Sequence, residues 1–176
     1  MGHISERDAE FTAYVAARRG HLRRTAFLLC GDWHAAEDLV QTALAKLYAA
    51  WPRVRKDASP EAYARRTLVR VHIDEMRRPW RRRELGAKPM PDIAADDGIS
   101  VEDRQSLLAA LAELSVGQRQ VVVLRYWLGL SIEETANDLG CSTGTVKSQT
   151  ARAVTRLRGV LAESAPTMED DYEPTR

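Results

Sequence analysis

The residues best suited to chemistry lie near the C-terminal end, in "CSTGTVKSQTARAVTRLR" from Cys141 to Arg158. At helical spacing, Ser142, Thr143, Thr145, Lys147, Ser148, Gln149, Arg152 and Arg156 offer hydroxyl, amide and cationic donors, and no acid occurs between Lys147 and Arg158. Such a face suits a phosphate-lined major groove, where Gln and Arg read base edges while Ser, Thr and Lys hold backbone oxygens. A solvated basic helix face would look similar, and only the elements around it tell the two apart. Covalent chemistry is not indicated: the sequence has no glycine-rich phosphate loop, paired-carboxylate arrangement or nucleophile with an adjacent base, which argues against an enzyme. Cys30 and His34 stand four residues apart, but Gly31 and Asp32 interrupt the helix and no second ligand pair follows. Neither a metal nor a cofactor is expected.

The elements that would position this face are legible. Ser131 and Glu134 form an S-x-x-E capping box that opens one helix, Gly140 ends it, and Ser142 can cap the next. Ala136, Gly140 and Val146 fall where a helix-turn-helix needs a small crossing residue, a sharp turn and a buried anchor. Val146, Val154 and Leu157 share the inward side at helical spacing. Upstream, "SLLAALAEL" and "VGQRQVVVLRYWL" read as two further helices, the second capped by Ser115 and ended by Gly129. "VVVL" should be core, with Arg125, Tyr126 and Trp127 covering it.

The N-terminal half is also helical in pattern, with "FTAYVAARRGHLRRTAFLLC" and "AEDLVQTALAKLYAAW" joined by a turn in which Asp32 can cap. Pro52 is expected to break the second helix and leave "PRVRKDAS" as a basic loop, after which Ser59-Pro60-Glu61 opens a third helix running to about Arg78. "GAKPMPDIAADDG" has the composition of a linker, and "SAPTMEDDYEPTR" that of an acidic disordered tail. The expected fold class is all-α, with two small helical domains joined by a flexible linker and the C-terminal one a helix-turn-helix. The boundaries fall at 8–84, 85–104, 105–162 and 163–176.

Charge follows the same division. The net charge of +1 hides 17 Lys/Arg against 10 Asp/Glu in residues 1–83, then 2 against 6 in 84–105. Two cysteines suit a reducing cytosol, and neither a signal pattern nor an apolar run of membrane-spanning length is present. A cytoplasmic protein with no membrane contact is expected.

On these residues alone, three readings stay open: a dimeric repressor or activator, a protein-only adaptor, or a factor with two nucleic-acid contacts. The ordered set of "AAEDLVQTALAKLYAAW", "YARRTLVRVHIDEMRR" and the helix-turn-helix from Ser131 to Leu157 resembles the two-domain extracytoplasmic-function (ECF) sigma factors of bacterial RNA polymerase, of the sigma-70 superfamily. The resemblance covers roughly Asp8 to Leu161. It implies a sigma-2-like and a sigma-4-like domain, and a factor that binds core RNA polymerase, recognises the minus-thirty-five promoter element and melts the minus-ten element. Asp38, Leu39, Gln41, Leu44 and Leu47 would meet the clamp helices of the largest polymerase subunit, with the flap as a further contact. Ser142, Thr143, Thr145, Lys147, Ser148, Gln149, Arg152 and Arg156 would face the minus-thirty-five element. Arg53, Arg55 and Lys56 would sit in a loop that captures a flipped base, and Arg65, Arg66, Arg70, Arg77, Arg78, Trp80 and Arg81 would hold minus-ten DNA, double- or single-stranded. The free chain would be a monomer, and an anti-sigma factor stays open as a further partner. Two positions depart from the family pattern: Arg70 stands four residues before Asp74 where many members carry Asn, and Thr135 stands where an aliphatic residue is common.

Overall fold

The computed structural model describes residues 6–57, 59–77 and 101–164, and among these no strand occurs. Three long helices form the N-terminal unit: α1 (Glu6–Cys30), α2 (Trp33–Asp57) and α3 (Pro60–Met76). The C-terminal unit comprises α4 (Val101–Ala112), α5 (Val116–Val122) continued by one π-helical turn (Val123–Trp127), α6 (Ile132–Leu139) and α7 (Thr143–Ser164). Most of the expected linker, and the acidic tail from residue 165 onward, lie outside the described residues.

Local chemistry sets the element ends. Gly31 closes α1 with φ of +76°, a conformation that glycine adopts without steric cost. Asp32 Oδ1 then accepts from Ala35 N–H at 2.9 Å, and the Ser59 hydroxyl accepts from Ala62 N–H at 3.3 Å to start α3 behind Pro60. Ser115 and Gln118 make a reciprocal capping box on α5. The π-helical turn shows in the bond from Leu128 N–H to Val123 C=O at 3.1 Å, five residues apart.

The second helix corrects one expectation. Pro52 lies inside α2, which continues to Asp57, so Arg53, Arg55 and Lys56 are on a helix and not in a loop. A proline removes its own N–H and leaves the carbonyl four residues earlier without its helical donor. That carbonyl belongs to Tyr48, and the Arg7 guanidinium of α1 donates to it at 2.6 Å. Trp51 and Val54, both buried, anchor the helix to the core on either side of the proline.

The N-terminal core is built from Leu22, Ala26 and Phe27 of α1, Leu39, Val40, Ala43, Leu47 and Trp51 of α2, and Ala64 and Leu68 of α3. A second cluster joins the two units: Leu29 of α1 and Val69 of α3 pack with Val123, Leu124 and Leu130, flanked by Ile73 and Leu139. Three polar contacts pin the same interface. Arg119 Nε donates to Leu28 C=O at 2.5 Å, near the carbonyl end of α1, where the helix dipole favours a cation. Trp127 Nε1 donates to Thr25 Oγ1 at 3.1 Å while its ring stacks on His21. Asp138 of α6 accepts from Arg65 and Arg66 of α3.

Candidate nucleic-acid interface

The α6–α7 pair is assembled as its caps require. Glu134 N–H donates to the Ser131 hydroxyl at 3.0 Å, and Ser131 N–H donates to the Glu134 carboxylate at 2.8 Å. These bonds hold the Glu134 carboxyl below its ordinary range, chiefly through the Ser131 backbone. Gly140 takes the left-handed conformation at φ of +67°, and Cys141 N–H reaches back to Ala136 C=O at 3.0 Å, the long bond of a Schellman turn. Ala136, Val121 and Val146 then form a small apolar cluster that fixes the crossing. Ala153, fully buried against Leu111 and Leu114, is a second anchor of α7, whereas Val154 is only half-buried. The inward side of α7 is therefore rotated by about one residue from the expected line, with Ala153 facing Leu111 of α4 and Leu114.

On the outer side Thr143, Thr145, Lys147, Ser148, Arg152 and Arg156 are exposed. Ser142 has a capping role: its hydroxyl accepts from Thr145 N–H at 3.1 Å and lies 2.9 Å from Thr145 Oγ1. Ser148 donates to Thr145 C=O, and the half-buried Gln149 packs against Gly117. Arg156 pairs with Glu113 at 2.7 Å, a solvent-exposed contact of small net energy. Thr143, Thr145, Lys147 and Ser148 thus stand at the N-terminal end of α7, where free amides and the helix dipole also favour anions.

The expected polymerase-facing residues separate by burial. Asp38 and Gln41 are exposed and Leu44 is half-buried, but Leu39 and Leu47 are wholly inside the N-terminal core. The last two are corrected from contact residues to core residues: their side chains fill the space between α1 and α3, and neither reaches solvent.

The expected minus-ten residues also separate. Arg53, Lys56, Arg70 and Arg77 are exposed, and Arg55 is exposed but paired with Glu10. Arg78, Trp80 and Arg81 lie outside the described residues. Arg65 and Arg66 are held across the interface: Arg65 Nε is 2.8 Å from Asp138 Oδ2, and Arg66 Nε is 2.9 Å from Asp138 Oδ1. Asp138 is 1% exposed. Nothing in the sequence singled it out, since its partners stand more than seventy residues away; the one signal was an acid in the last turn of a helix, where the dipole disfavours it.

His72 is another residue that sequence reasoning missed. It is a buried residue of α3, neither ring nitrogen has a hydrogen-bond partner, and burial followed by the nearby Arg119 charge lowers its pKa to about 4. Its imidazole is neutral at ordinary pH.

Residues 10–82 match the family model for sigma-70 region 2, and residues 104–157 that for sigma-70 region 4. The chain is 41% identical over 156 residues to the RNA polymerase sigma-E factor of Streptomyces avermitilis, covering 86% of this chain and 85% of that protein. It is 34% identical to the ECF RNA polymerase sigma factor SigM of Mycobacterium tuberculosis, over 82% of this chain and 74% of the relative. In three dimensions it is similar to the sigma factor RpoE of Bartonella quintana, solved in complex with the anti-sigma factor NepR, with a TM-score of 0.71 and 28% identity, covering 89% of this chain and 99% of that one.

Proposed function

The chain belongs to the ECF sigma factors of the sigma-70 family, and from that premise we propose that it binds core RNA polymerase and directs it to particular promoters. The observation that carries this reading is the ordered pair of region 2 and region 4 with a cationic, hydroxyl-rich and exposed outer face on α7. Thr143, Thr145, Lys147, Ser148, Gln149 and Arg152 are the minus-thirty-five readers, with base-edge contacts worth about 1–3 kcal/mol each when bidentate. Ser142 orients them by capping α7, and Arg156 contributes at the periphery because Glu113 competes for it.

At the minus-ten element the exposed Arg53, Lys56, Arg70 and Arg77 supply phosphate contacts from α2 and α3, joined by Arg65 and Arg66 once these are free. Each phosphate neutralised adds to the salt dependence of binding, and a base drawn from the duplex is worth about 1–3 kcal/mol when stacked on an aromatic ring. Trp80 is an aromatic three residues beyond Arg77 in the sequence. Polymerase docking uses Asp38, Gln41 and Leu44 on the exposed side of α2, which join a charged rim to an apolar seam.

Run-off transcription over a genomic fragment pool, with core polymerase plus the purified chain, should yield start sites absent with core alone. An unchanged set of start sites refutes the reading, and tight palindromic binding by a free dimer would favour a repressor instead.

A further inference from the structure

We propose that Asp138 is an internal phosphate mimic: in the free chain its carboxylate occupies Arg65 and Arg66 and withholds them from nucleic acid until the two units part. The masking half of this proposal rests on the promoter-binding reading of α3; the closed contact itself does not.

The placement of Asp138 calls for a cause. It sits in the last turn of α6, where the carbonyl end of the helix dipole repels an anion, and it is 1% exposed, where an unpaired carboxylate would be strongly disfavoured. Two guanidiniums offset both costs. Arg65 takes Oδ2 at 2.8 Å and Arg66 takes Oδ1 at 2.9 Å, so each carboxylate oxygen receives its own charged donor. Consecutive residues on a helix diverge by about 100°. Their convergence on one carboxylate reproduces the way two cationic side chains clasp a phosphate through separate oxygens.

The arginines have an alternative and Asp138 does not need them when exposed. Side chains of Arg65 and Arg66 retain 18% and 39% of their exposure, so they stay near solvent where a competing phosphate can approach. Once α3 and α6 separate, Asp138 is hydrated and Arg65 and Arg66 are available. The apolar strip of Leu29, Val69, Val123, Leu124 and Leu130, with the Arg119 and Trp127 contacts, holds the closed form together. The Asp138 triad supplies its coupling to nucleic acid. By linkage, whatever engages Arg65 and Arg66 must favour opening by the same factor that opening favours their engagement.

The test uses the full free chain and a fluorescein-labelled oligodeoxythymidylate, read by anisotropy across a salt series. Asp138→Asn keeps the shape but loses the charge. It should bind about tenfold more tightly at low salt, and its plot of log affinity against log salt should be steeper by about 1.4, the value for two further phosphates on a single strand. Adding Arg65→Ala and Arg66→Ala to that variant should return the slope to the wild-type value or below. An unchanged slope for Asp138→Asn, or a steeper slope that survives loss of both arginines, overturns the proposal. A second measurement needs no substitution: the oligonucleotide should raise deuterium uptake in residues 132–139 of the wild-type chain, and unchanged uptake there overturns it equally. Because polymerase is absent from both assays, a chain that initiates transcription but shows neither effect lacks the mimic and keeps the promoter reading. A chain with both effects and no start sites does the reverse.

Discussion

Two cationic helices carry the proposed nucleic-acid contacts of this protein, and they are held in opposite ways. The donors of α7 point to solvent and are organised by bonds within the α6–α7 pair, from the Ser131 and Glu134 box to the Ser142 cap. Two of the arginines of α3, in contrast, are organised by an acid from the other unit, and the same helix buries an unpartnered histidine against that unit. On the proposed reading the first surface is ready as it stands, whereas the second needs Arg65 and Arg66 released from Asp138. Substitutions on α7 should therefore remove function without touching stability, and those around α3 should change stability, pH response or domain contact.

The largest effect should follow Lys147→Ala with Arg152→Ala. Both residues are exposed, so the folded state loses little, but two of the readers of the upstream element are gone. Promoter-directed run-off should fall by at least about 30-fold, with contacts of about 1–3 kcal/mol each lost together, while the thermal midpoint stays put. A matching fall in the midpoint would erase the distinction between the two helices. Arg156→Ala alone should do much less, since Glu113 already holds that side chain.

Next in size is the acid response of His72. Its pKa in the folded chain, about 4, lies below the ordinary 6.5, because burial and Arg119 disfavour the imidazolium. Between those values the unfolded chain binds the proton first, so stability is complete above about pH 6.5 and is lost as pH falls toward about 4, by about 3 kcal/mol at most. Denaturant midpoints measured through that window should drop for the wild type and flatten for His72→Leu, which removes the titrating group and two unsatisfied nitrogens. Equal slopes in the two proteins would show that some other group governs the response.

The same contrast marks what the sequence could reveal. Every cap on α6 and α7 was legible, because Ser131, Glu134, Gly140 and Ser142 act on neighbours within four residues. Two of the corrections came from partners far along the chain. Pro52 reads as a helix breaker until Arg7, forty-one residues before Tyr48, satisfies the Tyr48 carbonyl. Leu39 and Leu47 share their helix with Asp38 and Gln41, and only the packing of α1 and α3 decides which of them face outward. Asp138 gives a single local sign, an acid in the last turn of a helix, and no hint of its partners, which stand more than seventy residues away. Sequence order and motif spacing point to the proposed recognition surface, but competition for charges such as Arg65 and Arg66 is a tertiary property.

Gly31 tests the interface from its N-terminal side. Gly31→Ala should cost about 1–2 kcal/mol for the left-handed backbone alone, at φ of +76°. An added Cβ would also stand 3.2 Å from the Arg119 guanidinium, which donates to Leu28 C=O. Gly129→Ala has a similar φ of +67° but no neighbour within 4 Å of an added Cβ, so it isolates the backbone part. If the closed contact persists in solution, Gly31→Ala should lower the thermal midpoint more than Gly129→Ala does. Equal losses would place Arg119 away from Gly31 in the free protein.

The smallest effect should have the opposite sign. Thr135 is wholly buried in α6 and its hydroxyl has no partner, at the position where an aliphatic residue would be expected. An unsatisfied buried hydroxyl costs about 1–3 kcal/mol by mutational measures, part of which a methyl group of similar shape restores. Thr135→Val should therefore raise stability by about 1 kcal/mol, read as a higher denaturant midpoint with an unchanged slope. Because Thr135 lies inward and the α7 donors lie outward, affinity for promoter DNA in the polymerase complex should not move. A gain in stability accompanied by lost promoter binding would mean that the packing of α6 and the reading face of α7 are coupled, and that the recognition surface is less self-contained than its caps suggest.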